Sequence, residues 1–289
     1  MAIYPFVTLD VFTDQRFGGN PLAVFPDARG LDGAQMQALA REFNLSETAF
    51  VLPPQDPANT AQVRIFTPQT ELPFAGHPNV GTAWVLATAG RDRDGALRFE
   101  EIAGLVEIAV ERREGEVVAC SVAAPRPLAR DTAPGAALIA ACAGLAAEDV
   151  GQAFTASVGA GFVCAAVSAE ALHRAKPDLA GFEAAGKAWP AGDFALCLYA
   201  RGTGRDVAMR MFAPVFGIAE DPATGAAAAA LGALLLDLDG GDAASFEIRQ
   251  GAEMGRPSFI RVGARRTPDG VRATVGGGCV PVLKGEAQI

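Results

Sequence analysis

Apolar positions along this chain come mostly in short β-like runs, and helical spacing interrupts them only a few times. Residues 4–12 are rich in β-formers, Phe17-Gly18-Gly19-Asn20-Pro21 breaks the run as a turn, and residues 22–25 form a short apolar strand. Leu31, Met36, Leu39, Ala40 and Phe43 then fall at helical spacing, which predicts a helix over residues 31–43. Strands are expected at 48–52 and 62–66, and a loop at 68–73 leads to a helix opening at Gly76 and running to 89. Further strands are expected at 97–99, 105–111 and 116–123, and Pro125-Arg126-Pro127 reads as a linker.

The second half runs through a similar order. Strands are expected at 153–157, 162–167, 194–200 and 207–212, with helical segments at 169–175 and 178–187. A loop leads to a helix from Gly225 to about 236, and strands near 245–248, 258–262 and 271–275 close the chain. Two loop-to-helix junctions look alike. Phe66-Thr67-Pro68 precedes Ala75-Gly76-His77, and Phe212-Ala213-Pro214 precedes Thr224-Gly225-Ala226, half a chain length later. An internal duplication is one reading of this spacing and coincidence the other. Duplication predicts two similar α+β domains whose helix N-termini converge on one cleft. Such ends present unpaired N–H groups and partial positive charge, which suits a carboxylate.

Composition narrows the chemistry. Half of the 289 residues are hydrophobic, and Lys plus Arg number 24 against 33 Asp plus Glu, for a formal net charge of -9. Disorder is excluded, and so is bulk binding to nucleic acid or anionic lipid, which needs a basic surface. A small anionic ligand held by a few local donors remains open. The longest apolar runs are too short for a membrane helix. Residues 1–12 carry no basic region of a signal peptide and meet Asp10 early. Five widely spaced cysteines without a CxxC pair read as buried free thiols in a reducing compartment, so a cytoplasmic protein is expected.

Several familiar site motifs are missing: HExxH, a Cys/His cluster at zinc-ligand spacing, GxGxxG after a strand, GxxxxGK[ST] and GxSxG. What remains is a mechanism built on carboxylates and a histidine. His173, at the end of a helical segment, reads as a solvated surface residue. His77 follows Gly76 at a helix start, and it either packs that start or aims a donor into a cleft. Glu47 lies among small and apolar residues between a helix and a strand. It is an ordinary loop glutamate or a carboxyl whose pKa is raised toward neutrality by desolvation. Asp221-Pro222 resembles a helix start with Asp as N-cap and Pro at the first helical position.

Six blocks then carry a resemblance across essentially the whole chain. They are DVFTDQRFGGNPLAVF from Asp10, NLSETAFVL from Asn44, RIFTPQTELPFAGHPNVGTA from Arg64, FAPVFGIAEDPATGAAAAALG from Phe212, RQGAEMGRPSFIRV from Arg249 and VGGGCVPVLKGE from Val275. Together they resemble the PhzF-like family of phenazine biosynthesis, within the diaminopimelate epimerase fold. The resemblance implies an α+β protein of two similar domains, each a mostly antiparallel sheet curled around a central helix. The domains would span residues 1–124 and 125–289, with the last strand free to return to the first. It further implies a cofactor-independent isomerase, commonly a homodimer, acting on a small anionic substrate with no metal.

In the family's phenazine enzyme a glutamate of the NLSET motif moves the C3 proton of trans-2,3-dihydro-3-hydroxyanthranilate within the ring. That role falls on Glu47. The substrate-binding set that the resemblance implies is His77, Asp221, Gly76, Gly225, Ala226 and Asn20. One departure stands out, because the family often reads EDPATGSA and this chain has Ala226 where the serine would be. Neither helix start carries a cysteine, since Ala75 and Thr224 precede the glycines, so two-cysteine racemisation is excluded. An epimerase of an amino acid derivative, and a small-carboxylate-binding protein without turnover, are the alternatives to an isomerase.

Overall fold

A computed structural model describes residues 2–289. The chain divides into two compact units, the first running to Ala123 and taking back Gly276–Ile289, the second spanning Ala124–Val275. The first unit contains β1 (Ile3–Val11), β2 (Asn20–Phe25), α1 (Gly33–Phe43), β3 (Glu47–Leu52), β4 (Ala61–Phe66), β5 (Glu71–Leu72), α2 (Gly76–Thr88), β6 (Ala96–Glu101), β7 (Gly104–Arg113) and β8 (Glu116–Ala123). The second contains β9 (Ala129–Thr132), α3 (Ala136–Ala143), β10 (Val150–Ser157), β11 (Gly161–Val167), α4 (Ala169–Arg174), α5 (Leu179–Ala188), β12 (Leu196–Arg201), β13 (Asp206–Ala213), β14 (Ile218–Asp221), α6 (Gly225–Asp239), β15 (Ala243–Gln250), β16 (Ser258–Thr267) and β17 (Gly270–Gly277). The last strand, β18 (Cys279–Gln288), belongs to the first unit and pairs antiparallel with β1.

Strand pairing inside each unit is mostly antiparallel, and the exceptions match. In the first unit β2 runs parallel to β3 across α1, and β4 parallel to β6 across α2. In the second, β11 runs parallel to β12 across α4 and α5, and β13 parallel to β15 across α6. Each parallel pair needs a crossover, and a helix supplies it. The same pattern of two helix-bridged parallel pairs is therefore traversed twice.

The repetition reaches individual side chains. Arg64 of β4 holds Glu71 of β5 through two bonds of 2.7 Å, with its guanidinium 5.1 Å from the ring centre of Phe66. Arg210 of β13 holds Glu220 of β14 through two bonds of 2.8 Å, with its guanidinium 4.9 Å from the ring centre of Phe212. A planar guanidinium matches a carboxylate bidentately and stacks on an aromatic face, so one Arg-x-Phe triplet anchors the segment before each central helix. Arg210 is buried and also donates to the carbonyls of Leu172 and Ala175.

Both central helices, α2 and α6, are apolar on almost every face and lie inside their units. Close approach to the surrounding strands relies on one glycine in each. A Cβ at Gly81 would stand 2.6 Å from Leu22 Cδ2, and one at Gly232 would stand 2.4 Å from Val262 Cγ1. Packing on the outer side of the first unit is aromatic: Phe25 stacks on Phe50 at 4.9 Å, and Phe43 and Phe66 meet these rings edge-on.

One expectation needs correction, and one helix had no element expected in its place. The reading of Asp221 as a helix N-cap with Pro222 at the first helical position does not hold. Asp221 ends β14, and α6 opens three residues past Pro222, at Gly225, with Thr224 as N-cap. The segment at residues 136–143, apolar but without a clear period, is the helix α3, packed against α5 with Gly144 closing it in the left-handed region.

Candidate active site

The NLSET segment is built to deliver one carboxyl. Asn44 closes α1 in the left-handed conformation (φ +50°), a geometry asparagine tolerates better than other side-chain-bearing residues. Its N–H bonds back to Ala40 O at 3.1 Å, so the helix stops there and the chain turns directly into β3. Ser46 donates its hydroxyl to Asn20 Oδ1 at 3.1 Å. This bond joins the starts of β2 and β3, which pair in parallel with Leu22 opposite Glu47. Asn20 is buried there, at the start of β2.

Glu47 itself is 16% exposed at the side chain, and its Oε2 lies 3.4 Å from Nε2 of the buried His77. Burial pushes the Glu47 carboxyl up from its ordinary 4.5 to about 7, against a smaller opposing effect from the Ser46 hydroxyl. A carboxyl at that value is populated in both protonation states near neutrality, which is what a group that takes and returns a proton requires.

His77 stands in the first turn of α2, just past Gly76. The N-cap residue Ala75 has no side-chain oxygen and gives no side-chain cap. The positive end of α2 is thus presented beside the Glu47–His77 pair without a side-chain acceptor of its own. In the first unit the structure brings together Glu47, His77, Gly76 and, through Ser46, Asn20.

The second unit assembles a different group around the start of α6. Asp221 is buried, and its Oδ2 accepts from Thr224 Oγ1 at 2.5 Å. Thr224 is the N-cap, but its hydroxyl is turned onto Asp221 and does not cap the helix. Gln250, at the end of β15, ties this turn together. Its Nε2 donates to Asp221 O at 2.7 Å and to Thr224 Oγ1 at 3.1 Å, while its Oε1 accepts from Thr224 N at 2.9 Å. Ser258 adds a bond to Pro222 O at 2.8 Å. Gly225 is buried and Ala226 half-buried at the helix start, and the methyl of Ala226 carries no donor.

Gln250 and Thr224 were not singled out from residue chemistry. The available signal was the block RQGAEMGRPS, which places Gln250 inside a family motif without saying what it touches. His173 is a surface residue as expected, 83% exposed at the side chain and 3.6 Å from Glu253. All five cysteines are buried and free, and burial pushes Cys120 up to about 12 and Cys142 to about 11. Among the described residues no group of three or more His, Cys, Asp or Glu is arranged to hold a metal ion, and no helix is long and apolar enough to cross a membrane.

Comparison with known proteins gives this arrangement a family. The family model described as phenazine biosynthesis-like protein (PhzC-PhzF) matches residues 9–285. The chain belongs to this family. A relative from Mesorhizobium japonicum, named an uncharacterized isomerase, is 41% identical with 98% of each chain covered. The trans-2,3-dihydro-3-hydroxyanthranilate isomerase of Pseudomonas aeruginosa is 38% identical, covering 99% of this chain and all of that one. This PhzC-PhzF protein is an isomerase.

Among solved structures, a PhzF-family phenazine biosynthesis protein of Bacillus anthracis superposes with a TM-score of 0.89 at 25% identity, with both chains fully covered. A hydroxyproline epimerase of Agrobacterium vitis superposes with a TM-score of 0.61 at 14% identity, covering 98% of this chain and 92% of that one. This second likeness establishes the epimerase-like α+β fold.

Proposed function

We propose that the protein is a cofactor-independent isomerase that moves a proton within a small cyclic carboxylate, with Glu47 as the group that carries it. The observation that carries this reading is the desolvated Glu47 carboxyl 3.4 Å from His77 at the start of α2. The ionised Glu47 takes a proton from a carbon made acidic by a neighbouring unsaturated system. The resulting carboxylic acid returns the proton to another carbon of the same molecule. Glu47 ends the cycle ionised, and the substrate keeps its formula. The N–H groups at the start of α2, at Gly76, bind the anionic part of the substrate, and Gly225 at the start of α6 offers donors of the same kind in the second unit. His77 donates to the charge that develops as the C–H proton leaves. Asp221, oriented by Thr224 and Gln250, accepts from a substrate amine or hydroxyl, and Asn20 fixes the Glu47 segment.

The 38% identity to trans-2,3-dihydro-3-hydroxyanthranilate isomerase makes that compound the first substrate to try. The test incubates the protein with it in D2O and follows the C3 proton by NMR, with Glu47→Gln alongside. Loss of the signal with the native protein and its retention with the variant is the expected result. An active Glu47→Gln variant overturns the assignment of Glu47. An inactive native protein moves the search to other small carboxylates that suit a helix start without the serine hydroxyl.

A further inference from the structure

The segment that presents Glu47 leaves the C-terminal end of α1, and the body of α1 is tied to the strand end on the other side of Glu47. Gln37 and Arg41 stand one turn apart on α1 and reach consecutive carbonyls. Gln37 Nε2 donates to Thr67 O at 2.8 Å, and Arg41 Nε donates to Pro68 O at 3.1 Å. Thr67 follows directly on β4. Thr48 of β3 pairs with Phe66 of β4 in the antiparallel ladder, so one further step along that register sets Thr67 across from Glu47. The turn that Gln37 grips is itself closed. Thr67 N donates to Thr70 O at 2.8 Å, and Thr67 Oγ1 accepts from the amides of Gln69 and Thr70 at 3.1 and 3.0 Å.

Glu47 is thus held from two sides. Only Leu45 and Ser46 separate it from the end of α1 at Asn44, and on the β2 side Ser46 is fastened to Asn20. On the β4 side the ladder stops at Thr48 and Phe66, and the backbone across from Glu47 is held by α1 through Gln37. We propose that Gln37 is a positioning residue for Glu47: its amide locks the end of β4 to the helix from which the Glu47 segment departs, so that the carboxyl keeps one place beside His77. Gln37 is half-buried and Arg41 exposed, so of the two ties the Gln37 amide is the one less open to competition from water. The residue type matters, because the carbonyl of Thr67 needs a donor. A carboxylate of the same length would set an acceptor against it, and an apolar chain would offer it nothing. The 3.4 Å between Glu47 Oε2 and His77 Nε2 leaves little room for drift, since a displacement of about 1 Å can slow a reaction on the order of 100-fold.

This inference rests on the role proposed for Glu47, so the experiment reads geometry apart from turnover. The full chain is labelled with 13C at the glutamate carboxyls and compared by NMR at one pH with Gln37→Met and Gln37→Lys, and Glu47→Gln assigns the Glu47 signal. Met and Lys keep the helix propensity and reach of glutamine; Met removes the donor and Lys retains an N–H. Gln37→Met is expected to move the Glu47 resonance and to lower kcat about tenfold or more with KM little changed. Gln37→Lys is expected to restore both. A Met variant with the native resonance and native kcat overturns the proposal even if it is less stable, because Gln37 then serves the fold alone. A Lys variant as impaired as the Met variant overturns it too, since the donor is then not what matters. Gln37→Glu, isosteric with the native side chain, takes the place of Gln37→Met if that variant does not fold. An active Glu47→Gln variant sinks the reading of Glu47 as the proton carrier, and the resonance still decides whether Gln37 positions its carboxyl.

Discussion

The hydroxyl of Thr224 points back to Asp221 Oδ2, 2.5 Å away, and leaves the helix it precedes without a side-chain cap. An N-cap threonine ordinarily bonds to an amide of the first helical turn, worth about 1 kcal/mol. Here that stabilisation is given up and the carboxylate is oriented instead. The exchange makes sense at a site for an anion, because the helix amides remain available to it.

Gln250 follows from the same turn. It satisfies Thr224 N and Asp221 O, two backbone groups 26 and 29 residues away from it in sequence. Gln250→Leu leaves both without a partner, at roughly 1–3 kcal/mol each. The expected loss is about 3 kcal/mol in chemical denaturation, with a higher KM from a misplaced Asp221. A Leu variant with native stability would show that solvent replaces the amide freely.

Ala226 bears on substrate choice. If trans-2,3-dihydro-3-hydroxyanthranilate is the substrate, Ala226→Ser supplies a hydroxyl beside the Gly225 amide. One hydrogen bond to a charged group is worth roughly 1.5–3 kcal/mol. KM is expected to fall about tenfold with kcat little changed. An unchanged or raised KM means the native substrate places no acceptor there.

Stability should depend on pH in two opposite windows. Glu47 and Glu101 have folded-state values raised to about 7 and about 8. Each binds more protons folded than unfolded between 4.5 and its raised value, so its contribution is complete below 4.5 and is lost as pH rises through that range. Asp27, Glu100, Asp149 and Asp269 are held low by hydrogen bonds, chiefly from Arg29, Asn59, Arg174 and Arg272. Their contribution is lost as pH falls below the ordinary carboxylate range. Denaturation midpoints should therefore decline from about pH 5 toward 8, and Glu47→Gln should flatten the part below 7. At about 1.4 kcal/mol per pKa unit, the Glu47 share is roughly 3 kcal/mol. A variant with the native profile would place the titration elsewhere.

Gly81→Ala tests the packing of α2. The added methyl meets Leu22 Cδ2 and Val11 Cγ2 inside 3 Å, which is overpacking at about 1–3 kcal/mol. A lower thermal midpoint is expected, together with reduced kcat, because the helix that carries His77 must shift.

The helix starts at Gly76 and Gly225 were legible because a loop, a glycine and an apolar run announce them locally. Glu47 was legible as a lone carboxylate in an apolar setting. Asp221 was found and misread, since Asp-Pro is a common way to begin a helix and nothing local reveals that Thr224 turns backward. Gln250 and Glu101 were hidden for a different reason. The partners of Gln250 lie across the crossover through α6, and Glu101 sits beside Glu100 in a sequence that reads as an exposed strand end. The Arg-x-Phe triplets were visible as letters, but their Glu partners sit 7 and 10 residues further along and only strand pairing joins them.

The return of β18 to the first unit has a consequence for how the protein is made. β1 pairs with β18 along its whole length, and Ala2 and Ile289 exchange two backbone bonds of 2.8 and 3.0 Å. A ribosome that has released β1 through β8 has not yet made the strand that covers β1. The second unit is contiguous and can close as soon as residue 275 emerges. The first waits, with an open strand edge on β1 available to any other extended chain, until β18 arrives. A nascent chain stalled between residues 275 and 279 has every residue of the second unit and still lacks the strand that covers β1.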